Sequence, residues 1–378
     1  MAVYSFEIYN SFFNLPNSVL NLIGEEEFIS LDFLSSMEKS NSIGLNTGWI
    51  AKPLVVSENE KVVGFVPMFF KYHSYGEYVF DWSWAEAHES LGKPYFPKIF
   101  IGLPFTPVNS RKFFVYSEDL IEKIIIYLEN FAKENKLSSI HYVFSGDLDD
   151  ANKYLELRGW SKRKTIQYLW TNKNYNDFDA FLTTFKNDKR KKIKQDRKKI
   201  SIKNIQFESL TGDQLNEDQI KFFYKCYEQT YLNHGSFPYI KKDFFSEYFL
   251  KKPERVVLFV GSDHTGPIGC SFCIKVGNNL YGRYWGSLEY IPSLHFELSY
   301  YQGIEYCINN NIEKFYAGIQ GEHKLARGFE PIFSQSYHFL TNTQFKRAIE
   351  DFANREDALN NKYIDELKER APFKGSLV

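Results

Sequence analysis

Cysteine is scarce in this chain. Cys226, Cys270, Cys273 and Cys307 are the only four in 378 residues. Cys270 and Cys273 have the two-residue gap of a metal or redox pair, but no second pair is spaced to complete a zinc site. They lie in IGCSFCIKV, which reads as a strand, so packing is expected of them and no metal. Net charge is nearly absent as well, at −1. That excludes a protein gripping nucleic acid with its whole surface and leaves room for a local basic patch. Long apolar runs are missing, so no transmembrane segment is expected. The start, MAVYSFEIYNSF, lacks a basic stretch followed by an apolar one, and the expected compartment is the cytoplasm. Aromatic residues are plentiful: 36 Phe and 26 Tyr bring the aromatic share to 18%. Phe can fill large cores, and Tyr buries area while keeping a polar handle for lining clefts.

The length suits one large domain or two of ordinary size. Strand-like and helical patterns alternate. GEEEFISLDFLSSMEKS reads as a helix with Phe28, Leu31, Phe33 and Leu34 on its apolar side. TGWIAKPLVVSE and KVVGFVPMFFK read as an antiparallel pair joined at Asn59 and Glu60. DLIEKIIIYLENFAKENK is strongly amphipathic, SSIHYVFS is strand-like, and YLELRGW reads as a helix ending at Gly159. A second series opens near Asn172. FDAFLTTFKNDKRKKIKQDRKKI reads as one long helix with Phe178, Phe181, Phe185, Ile193 and Ile200 along a stripe, and QIKFFYKCYEQTYLNH as another. RVVLFVGSD, GPIGCSFCIKV and NNLYGRYWGS are strand-like, LHFELSYYQGIEYCINNN is helical, KFYAGIQ is a strand, and EDFANREDALNNKYIDELKERA is a polar helix. The two series share an order of elements, with KVVGFVPMFFK matching GPIGCSFCIKV and YVFDWSW matching LYGRYWGS. Such an internal duplication would place a cleft between or beside two similar sheets.

YHSYGEYVFDWSWAEAHESLGKPYFPKIFIGLPFTPV, LYGRYWGSLEYIPSLHFELSYYQGIEYCI and AGIQGEHKLARGFEP resemble three signatures of the FemAB-like family of predicted N-acyltransferases, also called peptidoglycan biosynthesis/recognition proteins. The resemblance implies an α/β fold of two tandem acetyltransferase-like (GNAT-type) domains, each a mixed twisted sheet flanked by helices. On it, residues 1–170 form the N-terminal domain, residues 171–345 the C-terminal domain with a basic helix near 178–200, and residues 346–378 a C-terminal helix. It further implies transfer of an acyl or aminoacyl group from an activated donor to an amine acceptor. The better-known Fem transferases use aminoacyl-tRNA to extend cell-wall peptides, and other relatives of the fold use acyl-CoA. The glycine-rich pyrophosphate cradle of simple acetyltransferases is missing after YGRYWGS, where the chain reads SLEYIPSLHFE. That departure counts against ordinary acetyl-CoA use; the donor candidates are aminoacyl-tRNA, acyl-CoA and an acyl-carrier-protein thioester, and no tightly bound cofactor is expected.

Acyl transfer to an amine requires loss of a proton, stabilisation of the carbonyl oxygen and alignment of both substrates. No GxSxG elbow and no local Cys–His or Ser–His arrangement offers a covalent route, so direct attack is expected. GEHKLARG packs Glu322, His323, Lys324 and Arg327 between Gly321 and Gly328. His323 can act near neutral pH. Lys324 and Arg327 share a helical side and suit a phosphate, carboxylate or oxyanion; the plain alternative is a salt-bridged or solvated turn. In YGRYWGSLE, alternation would put Arg283 and Trp285 on one face and Tyr284 on the other. An arginine among large aromatics calls for a partner or an open cleft. His295 and Glu297 open the next helix, where Glu297 is a candidate base or a carboxylate complementing the helix dipole. In FDWSWAEAHES, Asp81 and Glu86 are further catalytic candidates or caps of the adjacent helix. His73 and Tyr75 are expected in a loop wall of the same cleft.

The run from Lys186 to Lys199 includes Lys191, Lys192, Lys194 and Arg197, opposed locally by Asp188 and Asp196 alone. It suits a polyanion such as tRNA, a nucleotide-bearing donor or a phospholipid surface met peripherally; otherwise it is a solvated helix face. Aromatics do not interleave with it, so no stacking platform for single strands is expected. Two functions follow. One is an N-acyltransferase using an activated acyl or aminoacyl donor and a small-molecule or peptide amine. The other is a non-catalytic recognition protein for a cell-wall precursor or another anionic ligand.

Overall fold

The computed structural model describes residues 3–375, with Asp213 as backbone only. The chain divides into two compact units, each drawn from two stretches: Met1–Thr165 with Phe333–Lys362, and Ile166–Ile332 with Tyr363–Val378. In chain order the first unit supplies β1 (Tyr4–Ile8), α1 (Leu31–Lys39), β2 (Trp49–Ala51), β3 (Leu54–Glu58), β4 (Lys61–Val66), β5 (Met68–Lys71), α2 (Trp82–Ser90), β6 (Lys98–Ile101), β7 (Phe114–Val115), α3 (Asp119–Glu134), β8 (Ser139–Ser145) and α4 (Ala151–Leu157). Strand β9 (Ser161–Thr171) carries the chain onward. The second unit supplies α5 (Phe178–Thr183), α6 (Asn187–Ser201), β10 (Gln206–Thr211), α7 (Glu217–Asn233), α8 (Lys242–Lys251), β11 (Val256–Asp263), β12 (Gly266–Val276), β13 (Asn279–Ser287), α9 (Leu294–Phe296), a π turn at Glu297–Tyr301, α10 (Gln302–Asn309) and β14 (Lys314–Tyr316). A 3₁₀ turn at Glu322–Arg327 precedes β15 (Glu330–Leu340) and α11 (Thr343–Glu369). The chain is thus α/β with mixed sheets and flanking helices, and no helix among the described residues is long and apolar enough to cross a membrane.

In the first unit, β1-β3-β4-β7 form one antiparallel sheet, and β15-β8-β6-β5-β2 are neighbours in another. The expected hairpin turns at Asn59 and Glu60, both left-handed (φ 47° and 65°), as a two-residue hairpin turn demands. Each run is nevertheless two strands. Pro53 and Pro67 lack the N–H that a ladder needs, so β3 pairs with β4 in one sheet while β2 and β5 pair in the other. Helix α3 buries Leu120, Ile121, Ile124, Ile125 and Leu128 against this core, a stripe of helical period. It links β6 to β8, which run parallel. FDWSW differs from expectation: α2 begins at Trp82, and Asp81 is the residue before it. YVFDWSW is therefore no counterpart of β13.

In the second unit the order is β10-β11-β12-β13-β14-β9, antiparallel throughout except for β13 against β14. Helices α9 and α10 make that parallel crossover. The long helix expected over residues 178–200 is two helices. The chain leaves helical geometry near Phe185, which makes an isolated bridge with Phe373, and Lys186 N–H donates to the Pro372 carbonyl at 2.8 Å. The stripe survives the break, because Phe178, Phe181, Phe185, Ile193 and Ile200 are all buried. Cys226, Cys270, Cys273 and Cys307 are buried free thiols.

Candidate functional site

The site is set by where two parallel strands part. β13 and β14 pair only at Asn279–Lys314, Leu280–Phe315 and Tyr281–Tyr316. Beyond Tyr316 the chain turns toward β9, with Ala317 N–H donating to the Tyr168 carbonyl at 2.8 Å, while β13 runs on to Ser287. Main-chain groups on the β13 edge past Tyr281 thus border an opening instead of a strand. The opening is a cavity of about 640 Å³ lined by β13, by the start of the crossover helix and by the 317–324 segment.

β13 bulges as it enters the cavity. Cys273 pairs with Gly282 and Phe272 with Tyr284, which leaves Arg283 as the extra residue. A bulge resets the facing of side chains, so the expected alternation fails: Arg283, Tyr284 and Trp285 all line the cavity. Gly286 lets α7 approach, for a Cβ there would sit 2.1 Å from the Cys226 carbonyl oxygen. Thr230 on α7 then donates to the Trp285 carbonyl at 3.0 Å.

Across the cavity the His295 ring stacks on Trp285, centroids 4.4 Å apart. The π turn that follows widens the helix and carries Ser299 and Tyr300 to the same wall. Tyr300 Oη and His323 Nε2 are hydrogen-bonded at 2.9 Å. Burial first, then the nearby Arg327 and Lys324 charges, pushes the His323 pKa down to about 4. For His295 burial comes first, then His323, Arg327 and Lys324, and its pKa falls to about 3. Both rings are neutral near neutral pH. Lys324, 6% exposed, is pushed down to about 8 by burial.

Arg327 and Glu297 stand behind the cavity wall. Arg327 donates to the His323 carbonyl at 2.6 Å, reaches Asp196 at 3.4 Å and lies 3.4 Å from the Phe296 ring centroid. Glu297 accepts from Arg197 at 2.9 Å and from Gln302 at 2.8 Å; burial raises its carboxyl pKa, partly offset by Arg197. Arg197 also pairs with Glu305 at 2.8 Å. Its guanidinium is therefore committed to α6's inner side and is not part of an outward basic surface. Lys191, Lys192 and Lys194 do face outward. Lys192 lies 3.5 Å from Asp196 and Lys194 lies 3.3 Å from Asp179.

The candidates from the first unit form a separate set. Asp81 is 1% exposed and accepts from Tyr95 at 2.6 Å, in a buried network with Lys98 and Glu77. Its carboxyl lies below the ordinary carboxylate range because the Lys98 charge and the Lys98, Ser74 and Tyr95 hydrogen bonds outweigh burial, which alone would raise it. Glu86 is exposed on α2. His73 Nε2–H donates to the Thr47 carbonyl (2.9 Å) and its Nδ1 accepts from Tyr75 N–H (3.2 Å); with Tyr72 and Phe70 it borders a different cavity of about 590 Å³. Tyr75 is 54% exposed and packs edge-on against Trp82. Sequence reasoning missed Tyr300, Ser299, Ser271, Gln320 and His234 in the wedge cavity. For Tyr300 the available signal was its three-residue step past the candidate Glu297 in the same helical segment; for His234 it was the helix end at LNHG.

A FemAB-like family model, described as peptidoglycan biosynthesis/recognition, matches residues 14–375. No match was found among curated proteins. Among solved structures, FemX is similar at 12% identity and a TM-score of 0.50, over 84% of this chain and 93% of its own. L-PGS from Bacillus licheniformis is similar at 8% identity and a TM-score of 0.51, over 85% and 95% of the two chains. At such identities the likeness is one of fold.

Proposed function

Because the chain belongs to the FemAB-like family of peptidoglycan biosynthesis/recognition, we propose that it is an N-acyltransferase working in the β13–β14 wedge, with its two units as two acetyltransferase-like halves. The observation that carries the reading is the meeting of a neutral His323–Tyr300 pair with Lys324 in a cavity of about 640 Å³. The amine nitrogen of the acceptor attacks the donor's carbonyl carbon. The new C–N bond forms, the bond from that carbon to the leaving oxygen or sulfur breaks, and the proton lost by nitrogen passes by way of His323 to the leaving group. Main-chain N–H groups where the strands part suit the carbonyl oxygen as it gains charge. Trp285 and His295 supply a flat apolar wall for the acyl portion. Donors compatible with the site are aminoacyl-tRNA, acyl-CoA and a carrier-protein thioester. The acceptor is a small-molecule or peptide amine, and the cytoplasm, where all three donors are made, is the proposed compartment.

One observation favours a second reading, recognition of an anionic ligand without turnover: burial, and after it Arg327 and Lys324, make His323 a weak base. The two readings separate in one experiment. The full chain is incubated with each donor class and a panel of amines, and amide products are sought by mass spectrometry. Amide formation by wild type, lost in His323→Ala with folding intact, supports transfer. Binding without product in every combination supports recognition.

A further inference from the structure

Among the described residues, the buried cations have partners, with one exception. Lys98 meets Glu77 at 2.8 Å, Lys71 lies 3.9 Å from Glu77, Arg163 meets Glu356 at 2.7 Å, and Arg327 lies 3.4 Å from Asp196. Lys112 donates to the Phe144 carbonyl. Lys324 is 6% exposed, yet its ammonium makes no ion pair and no hydrogen bond among the described residues. The Tyr168 ring lies 5.5 Å from it, to the centroid. The ammonium therefore relies on the cavity it lines for solvation, and holding a charge so deep without a counter-charge is costly. Fourteen residues line the cavity that Lys324 faces, and none is Asp or Glu; Arg283 adds a second cation. The lining thus offers Lys324 no carboxylate.

We infer that the ligand of this cavity bears an anionic oxygen group, a carboxylate or a phosphate, that docks on Lys324. Lys324 is thus a recognition residue, and the reacting atoms lie elsewhere in the wedge. The inference names the substrate class of the site assigned above to acyl transfer and rests on that assignment only for the reaction, not for the binding. Docking has a second effect. The charges facing His323 are Lys324 and Arg327 on its own turn, with His295 and Tyr300 from the helix and Arg283 from β13 lining the same cavity. An anion on Lys324 cancels part of the charge repulsion that adds to burial in keeping His323 unprotonated, so the ring becomes a better proton acceptor once the ligand is in place.

The test uses the full chain as wild type, Lys324→Met and Lys324→Arg. Each is titrated with inorganic phosphate and separately with acetate at constant ionic strength, and the His323 and His295 ring signals are followed by NMR. Expected is a saturable response in wild type, weakened about thirtyfold or more in Lys324→Met and largely kept in Lys324→Arg. A response to phosphate alone assigns a phosphate, to acetate alone a carboxylate, and to both the shared chemistry. No saturable response to either anion overturns the inference, as does a Met variant that responds like wild type. Urea unfolding closes the remaining gap: removing an unpartnered buried charge should leave the Lys324→Met midpoint unchanged or higher, and a marked fall means the lysine already has its partner in the protein. The readout is binding, so it stands or falls independently of whether amide product is ever found.

Discussion

Replacing Gly321 with Ala tests the placement of His323 without touching the imidazole. Gly321 has φ 101°, in the left-handed region, and a Cβ there would sit 2.4 Å from His323 Cε1. Ordinary contact begins at 3.4 Å, so the ring must yield by about 1 Å. Backbone strain at such a φ costs about 1–3 kcal/mol, and losing the Tyr300–His323 hydrogen bond adds about 0.5–1.5 kcal/mol. The expected loss is about 2–4 kcal/mol by urea unfolding. Under the acyl-transfer reading, a reacting group displaced by about 1 Å lowers turnover roughly a hundredfold. A double-mutant cycle isolates the steric part: in a His323→Ala background, Gly321→Ala should cost only the backbone strain, because the ring it would strike is gone. The reasoning is refuted if Gly321→Ala has the wild-type urea midpoint, or if it costs as much without the imidazole as with it.

Arg197→Met strands Glu297, which is 2% exposed and has one carboxylate oxygen already without a partner. The expected cost is about 3–5 kcal/mol at neutral pH. Since burial holds the Glu297 pKa above its ordinary value and the arginine opposes that rise, the variant should regain stability as pH falls toward its raised pKa; urea midpoints at neutral and mildly acidic pH check the sign. Gly286→Ala drives a Cβ into the Cys226 carbonyl, a helix backbone atom that cannot swing away, and should lower the thermal midpoint by the equivalent of about 1–3 kcal/mol or more. Reversing charge at Lys191, Lys198 and Lys199, all exposed on α6, should abolish any salt-dependent retention on tRNA while leaving the urea midpoint in place; unchanged retention removes a polyanion role from this face.

Local patterning made much of the scaffold readable. The apolar period of α3, the turn at Asn59 and Glu60 and the strand–helix–strand order around β13 each follow from a rule acting over a few residues. The breaks were harder to see. Pro53 and Pro67 divide runs whose hydrophobicity is continuous, and Phe185 stays on its stripe while leaving the helix. Of the candidate residues, Arg283, Tyr284, Trp285, His295, His323 and Lys324 meet in one cavity because strand ends and the turn after a strand converge where a sheet opens. Arg197 could not be told from its lysine neighbours, because its partners Glu297 and Glu305 lie about a hundred residues away and no local pattern records them. Asp81 drew notice as a candidate in FDWSWAEAHES; its partner Lys98 comes from strand β6, seventeen residues on. Arg283's facing depended on a bulge, and Tyr300's on a π turn, neither of which leaves a periodic trace.

The hairpin of the first unit has one more implication. The same two runs of chain furnish β3 and β4 to one sheet and β2 and β5 to the other, so the two sheets cannot choose their registers independently. A slip of one residue at Asn59–Glu60 would move Val56 and Val66 to the opposite face in one layer and Trp49 and Phe69 to the opposite face in the other at the same moment. Both layers are therefore expected to open as a single cooperative block, and amide exchange across Trp49–Ala51, Leu54–Glu58, Lys61–Val66 and Met68–Lys71 should report one common opening free energy.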